Sequence, residues 1–233
     1  MINISNELHF LILNIRSYIS FKIKCFFFFL IYGHYFRNKN FKKHIRKNKI
    51  LKIHFGSTDE IDGFFNSQVI GKNPINIAKK LPINDNSIST IFSSHVIEHL
   101  HKKEIIFFLN ESYRILAKGG INIILTPSLS KISKILYSEN DEENKKILLT
   151  RLKKWSKEEF NACEYVNGVF RNYGHRFILD YDFVKYQATK IGYKNAILGD
   201  VNSIPDKLVK DFIVKKRNDH AWLLETDFYF LIK

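Results

Sequence analysis

Two segments hold the residues best suited to acid–base or metal chemistry. The first is "SSHVIEHLH", with His95, Glu98, His99 and His101; the second is "YGHRF", with His175 ahead of Arg176. Histidine titrates near neutral pH, so His95 and His175 are each suited to take a proton from an attacking hydroxyl. Each also has a plainer reading, His95 as a helix cap or turn filler and His175 as a packed side chain. His99 stands four residues after His95 and would share its helical face, and with His101 this spacing raises a metal. No carboxylate or cysteine completes a ligand set for those three histidines, so no metal ligands are expected. Glu98 reads as a structural partner of backbone. Arg171 and Arg176 could receive an anionic acceptor such as a nucleotide-sugar or a phosphorylated glycan, or lie solvated on the surface.

These residues need a frame. Residues 50–55 form a short apolar strand candidate ending at Gly56, and short strands are also expected at 67–70 and 75–77. Pro82 and Asp85-Asn86 punctuate a turn, after which residues 89–93 make a buried strand. Residues 103–117 carry Ile105, Ile106, Leu109, Tyr113 and Leu116 near helical spacing, and Gly119-Gly120 stands where a C-cap is expected. Residues 121–125 form the next strand, closed by Thr126-Pro127. Strands alternating with helices predict a parallel sheet with crossover helices, whose ligands sit at the carboxyl ends of the strands where strand order reverses. Those ends are Gly56, Ser93-Ser94-His95 and Thr126-Pro127.

Beyond them lies a long intervening piece with a lysine-rich start, an acidic "ENDEEN" and, at Ser156 to Glu159, a capping-box pattern opening a short helix. Asp180 reads as the N-cap of an amphipathic helix stopped at Gly192. Residues 195–198 and 223–232 read as the last two strands, an antiparallel pair at a sheet edge. The simplest division is an N-terminal helical extension (residues 1–47) and one domain (residues 48–233) with an insertion at about 129–173.

Composition bounds the class. The chain of 233 residues is 45% hydrophobic, enough for one α/β domain with a sizeable core and against wholesale disorder. Its net charge of +14 invites a nucleic-acid or anionic-membrane partner. The excess is mainly lysine, spread along an Asn-, Ile- and Phe-rich chain without a nucleic-acid-binding module, so base composition of the gene explains it at least as well, and nucleic acid is the weaker option. Cys25 and Cys163 suggest neither a disulfide framework nor a zinc spacing, which fits a reduced, cytoplasmic setting. Residues 8–36 are apolar, but the strongest run, "CFFFFLIY", is too short to span a bilayer, which takes roughly twenty residues. Arg16, Lys22 and Lys24 interrupt the approach to it. The segment reads as helices packed on the body, or as a peripheral membrane contact of residues 8–47 aided by Arg37, Lys39, Lys42, Lys43, Arg46 and Lys47.

The block "SISTIFSSHVIEHLHKKEIIFFLNESYRILAKGGINIILTPSL" resembles the central part of class I S-adenosyl-L-methionine (SAM)-dependent methyltransferases. More closely, it is similar to the methyltransferase type 11 group and its relatives in bacterial surface-polysaccharide gene clusters. Glu111, Arg114, Leu116, Gly119, Gly120 and Pro127 follow that group's pattern in order, and a looser likeness extends over residues 50–197. The resemblance implies a Rossmann-like, doubly wound, mostly parallel seven-stranded sheet, and SAM as cofactor. It also implies methyl transfer to a small-molecule or saccharide-type acceptor.

The same resemblance implies where SAM would lie: against Phe55, Gly56, Ser57 and Thr58 after the first strand, Gln68 after the second, Lys80 and Leu81 in the next turn, and Ser94 and His95 after the central strand. Three of these positions depart from the family's pattern. Thr58 stands where a second glycine is expected, Gln68 where an acid grips the ribose hydroxyls, and Lys80 where an acid precedes "LP". Two readings therefore stand together, an enzyme that binds SAM through altered contacts and a catalytically degenerate module with a binding or scaffolding role. In the enzyme, His95 and His175 would be the bases. Glu111 and Arg114 are expected as an exposed helix pair and its anchor.

Overall fold

The computed structural model describes residues 51–57, 59–68, 73–153, 161–216 and 219–233. The N-terminal extension, Thr58, residues 69–72 and the capping-box pattern at 156–159 lie outside the described residues.

Six strands form one sheet in the order β2-β1-β3-β4-β6-β5. β1 (Leu51–Phe55) lies between β2 (Phe65–Ser67) and β3 (Ile88–Ser94), parallel to both. β4 (Leu116–Pro127) continues the parallel set. β6 (Thr226–Ile232) then runs antiparallel between β4 and the edge strand β5 (Asn195–Gly199). The chain leaves β1 in one direction to make β2 and returns on the other side to make β3, so strand order reverses between β1 and β3. The fold is therefore mixed α/β, Rossmann-like and mostly parallel, as expected, with the antiparallel pair at one edge.

A seventh strand is not present among the described residues. Residues 75–77, expected as a strand, contribute only the bond from Ile75 N–H to Gln68 O, 3.2 Å, next to an isolated bridge between Gln68 and Pro74. Proline has no N–H for a ladder, and Ile75 and Ile77 instead bury their side chains from an irregular segment.

The helix expected at 103–117 is α1 (Lys102–Ile115), opened by His101 N–H donating to Glu104 Oε2 at 2.8 Å. It buries Ile105, Phe108, Leu109 and Ile115 at the period of one helical face. It does not end on Gly119-Gly120. Leu116 is already extended, and both glycines fall inside β4, where the register against β3 shifts. Gly119 has φ +76°, and a Cβ on Gly120 would lie 2.9 Å from Ala117 O and 3.0 Å from Ile88 O. The glycine pair makes a bulge, not a helix cap.

Three further helices follow β4: α2 (Leu129–Tyr137), α3 (Glu142–Lys153) and α4 (Ala162–Arg171). The acidic run opens α3, with Glu142 and Glu143 in the first turn, where the helix dipole favours them. Asn161 and Glu164 cap α4 reciprocally. α5 (Tyr181–Ile191) starts and stops as expected: Asp180 Oδ1 accepts from Phe183 N–H at 2.8 Å, and Gly192 closes it at φ +109°. α6 (Lys207–Lys216) and α7 (His220–Glu225) precede β6. Residues 223–225, expected as strand, are thus the end of α7.

The sheet is covered on both faces. Ile53, Phe55, Ile91 and Ile124 pack with α1 and α5, whereas Phe92, Ile123, Leu125, Phe228 and Phe230 pack with Val209, Ile213 and Trp222. A smaller core of Ile132, Ile135, Leu136, Leu148 and Tyr165 joins α2, α3 and α4 beside Leu224 of α7. This helical cluster rises over the carboxyl ends of β3 and β4. No helix among the described residues is long and apolar enough to cross a membrane.

Candidate functional site

β3 ends in a sharp turn at His95, followed by a short turn that carries Glu98 and His99. His95 adopts φ +53°, a left-handed conformation for a residue with a Cβ, while its N–H still donates to Leu125 O at 2.8 Å. Its Nε2 accepts from the Trp222 indole N–H at 2.7 Å, and its Nδ1 lies 3.2 Å from Glu98 Oε1. Both ring nitrogens of His95 are thereby engaged. Ile97–His99 form a short 3-10 turn that turns Glu98 inward, fully buried.

Glu98 is tied on several sides. Its main-chain oxygen accepts from Arg176 N–H at 2.8 Å and Phe177 N–H at 3.2 Å, and Oε2 accepts from Thr126 Oγ1–H at 3.2 Å. Oε1 approaches His95 without hydrogen-bond alignment and has no well-formed partner. Burial alone would push this carboxyl up, but the His95 ring holds it below the usual carboxylate range.

His175 joins this group from the loop that follows α4. Its Nδ1–H donates to Val169 O at 2.5 Å, which fixes the tautomer and leaves Nε2 as the lone-pair nitrogen. Burial lowers its pKa. The rings of His99 and His175 stand 5.0 Å apart, and the ligand atoms of Glu98, His99 and His175 all lie within 4.8 Å of one another. Sequence spacing groups His99 with His95 and His101. The fold groups it with Glu98 and His175 instead and leaves His101 exposed at the start of α1.

The two expected bases, His95 and His175, line one cleft of about 270 Å³ together with His99, Pro127, Tyr173 and Trp222. The lining also holds an ion pair and a neutral phenol: Arg151 Nη1 meets Glu225 Oε1 at 2.5 Å, and the Tyr165 hydroxyl donates to Glu225 Oε2 at 2.5 Å. Burial and the Glu225 charge push the Tyr165 phenol well above its ordinary range. Arg171 and Arg176 are exposed and do not line the cleft. Trp222, Glu225, Arg151 and Tyr165 carry no motif in the sequence; tryptophan's scarcity, two in the chain, is the single hint to Trp222.

The expected cofactor residues gather at the ends of β1, β2 and β3. Phe55 is wholly buried and Gly56 turns at φ +70°. A Cβ on Gly56 would stand 2.4 Å from Val96 Cγ2, so Val96 sits directly over this turn. Ser57 gives its N–H to Ser67 O at 2.9 Å and approaches the same oxygen with Oγ at 3.4 Å. Gln68 is half-buried beside its bridge to Pro74. Lys80 is exposed, and Leu81 N–H is held by Glu111 Oε2 at 2.8 Å. The hydroxyls of Ser93 and Ser94, at the end of β3, are buried and have no partner. Buried hydroxyls without partners at the end of β3 and a left-handed glycine turn at the end of β1, where strand order reverses, fit a polar cofactor such as SAM.

Glu111 and Arg114 are not an exposed pair. Glu111 is 8% exposed and grips Leu81 N–H and Arg114 together, while Arg114 also donates to Ile83 O at 2.8 Å, Leu81 O at 3.1 Å and Asp85. These bonds fasten the 81–85 turn, which carries Lys80-Leu81, to α1.

Comparison with known proteins bears on the same region. No curated protein matches the sequence. Among solved structures, a SAM-dependent methyltransferase from Archaeoglobus fulgidus is similar at 11% identity, over 88% of this chain and 100% of that one, with a TM-score of 0.46. The phosphoethanolamine N-methyltransferase 2 of Haemonchus contortus is similar at 12% identity over 90% of this chain, which spans 56% of that one, with a TM-score of 0.42. Both likenesses are distant. Residues 63–124, the stretch from just before β2 into β4, match the family model described as a methyltransferase domain.

Proposed function

We propose that the protein is a SAM-dependent methyltransferase acting on a small-molecule or saccharide-type acceptor. The observation that carries this reading is the methyltransferase-domain match over residues 63–124, which takes in β3 and the turn after it, whose His95 and His99 line the cleft. Gly56, Gln68, Leu81, Ser93 and Ser94 would hold the cofactor. Bound there, SAM supplies an electrophilic methyl group. The protein's own share is mainly to place the acceptor in line, to exclude water and to take up a proton.

Of the two histidines, His175 offers a free nitrogen, Nε2, and is the proton acceptor for an acceptor hydroxyl. His95, engaged at both nitrogens, is a positioning residue that locks Trp222 and Glu98 in the cleft wall. The cleft, at about 270 Å³, is near the small end of ligand pockets, which run about 300–1,000 Å³. That size suits a small molecule or a terminal sugar better than a polymer segment, and nucleic acid is not favoured.

A second reading is favoured by the donors already in use at the cofactor end. Ser57 N–H serves Ser67 O, Leu81 N–H serves Glu111, and Val96 covers Gly56. Together with Thr58, Gln68 and Lys80, this supports a degenerate module that scaffolds an assembly through residues 1–47, with residues 8–47 at a membrane surface. Titration calorimetry with SAM and S-adenosylhomocysteine separates the two. Saturable heat and a thermal shift are expected of the enzyme, whereas neither at millimolar ligand sinks it and leaves the scaffold.

A further inference from the structure

We propose that Glu98, His99 and His175 bind one first-row transition-metal dication, with Zn²⁺, Fe²⁺ and Co²⁺ as the fitting ions, at the floor of the cleft. Two imidazoles and one carboxylate are the donor set for such ions and not for Mg²⁺ or Ca²⁺, which require mostly oxygen. Ligands about 2.0–2.1 Å from one tetrahedral ion lie about 3.4 Å from each other. The three donor atoms, already within 4.8 Å, need to close by up to about 1.4 Å.

Two independent features point to a ligand. Glu98 Oε1 is buried in this cluster without an aligned hydrogen bond, its contact with His95 Nδ1 at 3.2 Å being an ion-pair approach only. The surrounding shell is also of the kind that holds metal ligands in place. His175 Nδ1–H donates to the Val169 carbonyl, presenting Nε2; Thr126 Oγ1–H donates to Glu98 Oε2; and His95 Nδ1 braces Oε1. One carboxylate and two neutral imidazoles carry one negative charge, and His101 and Cys163 stand exposed outside the cluster.

Three protein ligands leave an open coordination position, and because His99 and His175 both line the cleft, that position faces it. The inference rests on the methyl-transfer reading only for its use. A hydroxyl of the acceptor would bind at the open position and lose its proton to solvent through the cleft. The oxygen then takes the methyl, forming an O–CH₃ bond as the sulfonium S–CH₃ bond breaks. His175 Nε2 is then a ligand, and the ion's charge lowers the acceptor's pKa in place of imidazole basicity.

The test is metal binding by the full chain, independent of turnover. Chelator-stripped protein is titrated with Zn²⁺ by calorimetry and with Co²⁺ by visible absorption. One equivalent and the intense d–d bands of tetrahedral Co²⁺ are expected. His99→Ala should weaken binding by at least about a hundredfold, since even outer-shell losses cost 10–100-fold, while H101A should leave it unchanged. Glu98→Gln and H175A test the other two ligands, with circular dichroism confirming that each variant folds. Substoichiometric binding, or equal binding by H99A and H101A, overturns the metal site. SAM titration of the stripped protein keeps the two proposals apart: SAM binding without metal binding refutes only the ion, and metal binding without SAM binding refutes only the methyltransferase.

Discussion

Acidification should destabilise this protein through a histidine outside the cleft lining. His54 sits in β1, 3% exposed, tilted by 30° against Phe92 with ring centroids 4.7 Å apart and edge-on to Phe212 at 5.8 Å. Burial lowers its pKa from 6.5 to about 4, and the Nδ1–H bond to Asn66 Oδ1 and the Asp59 charge offset this only in part. The folded pKa lies below the unfolded one, so the unfolded chain binds the proton more tightly. Stability is therefore full above about pH 6.5 and is lost as pH falls towards about 4. With about 1.4 kcal/mol per unit, the loss by about pH 4.5 is roughly 2–3 kcal/mol, a large share of a stability of about 5–15 kcal/mol. The perturbation is His54→Phe, which keeps an aromatic ring against Phe92 and Phe212. It strands no acceptor, because Asn66 Oδ1 still receives Ile61 N–H at 3.0 Å. Urea unfolding of both proteins from about pH 7.5 to 4.5 should show wild type losing roughly 2–3 kcal/mol more than the variant. Parallel stability–pH curves, or a His54 imidazole that titrates above pH 6 by NMR, would refute the reasoning.

Removing Glu111 by E111A leaves Leu81 N–H and the Arg114 guanidinium without their shared partner; about 2–4 kcal/mol of stability should be lost in thermal or urea unfolding, and SAM affinity should fall as the 81–85 turn loosens. G56A meets both the positive φ, about 1–2 kcal/mol, and the overlap with Val96, about 1–3 kcal/mol. A double-mutant cycle with V96A should recover about 1–3 kcal/mol of that, the overlap alone, and no coupling would place the whole penalty in the backbone. Trp222→Phe keeps the edge-on contact with Phe228 but removes the N–H bond to His95, so stability should fall by about 1 kcal/mol while the KM for acceptor rises more than kcat falls.

What the sequence discloses and what it withholds divide along a physical line. Features set by local chemistry are legible: the N-cap at Asp180 and the stop at Gly192 depend on bonds within one turn, and the apolar period of α1 is that of any amphipathic helix. The glycine pair misleads, because its role depends on Ile88 O approaching from the neighbouring strand. The same holds at 75–77, where β-branched residues favour a strand but Pro74 has no donor to continue the ladder.

The candidate site follows the same division. His95 and His175 are visible as titratable residues near turns, but whether either can accept a proton depends on distant partners: Trp222 closes Nε2 of one, and Val169 leaves Nε2 of the other open. Glu98, read from sequence as a backbone partner, is one through its main-chain oxygen, while its carboxylate turns to Thr126 and His95. Of the cleft's lining, His95, His99 and Pro127 come from the strand ends, whereas Arg151, Tyr165, Val169, Tyr173, His175, Trp222 and Glu225 come from the helical cluster, the loop after it and α7. A change of acceptor therefore requires no change in the strands that would hold a cofactor. If the methyl-transfer reading holds, substitutions at Arg151, Tyr165 or Glu225 should move the KM for acceptor while leaving SAM affinity within about twofold, and a parallel loss of both would show that the two halves of the site are not separable in this way.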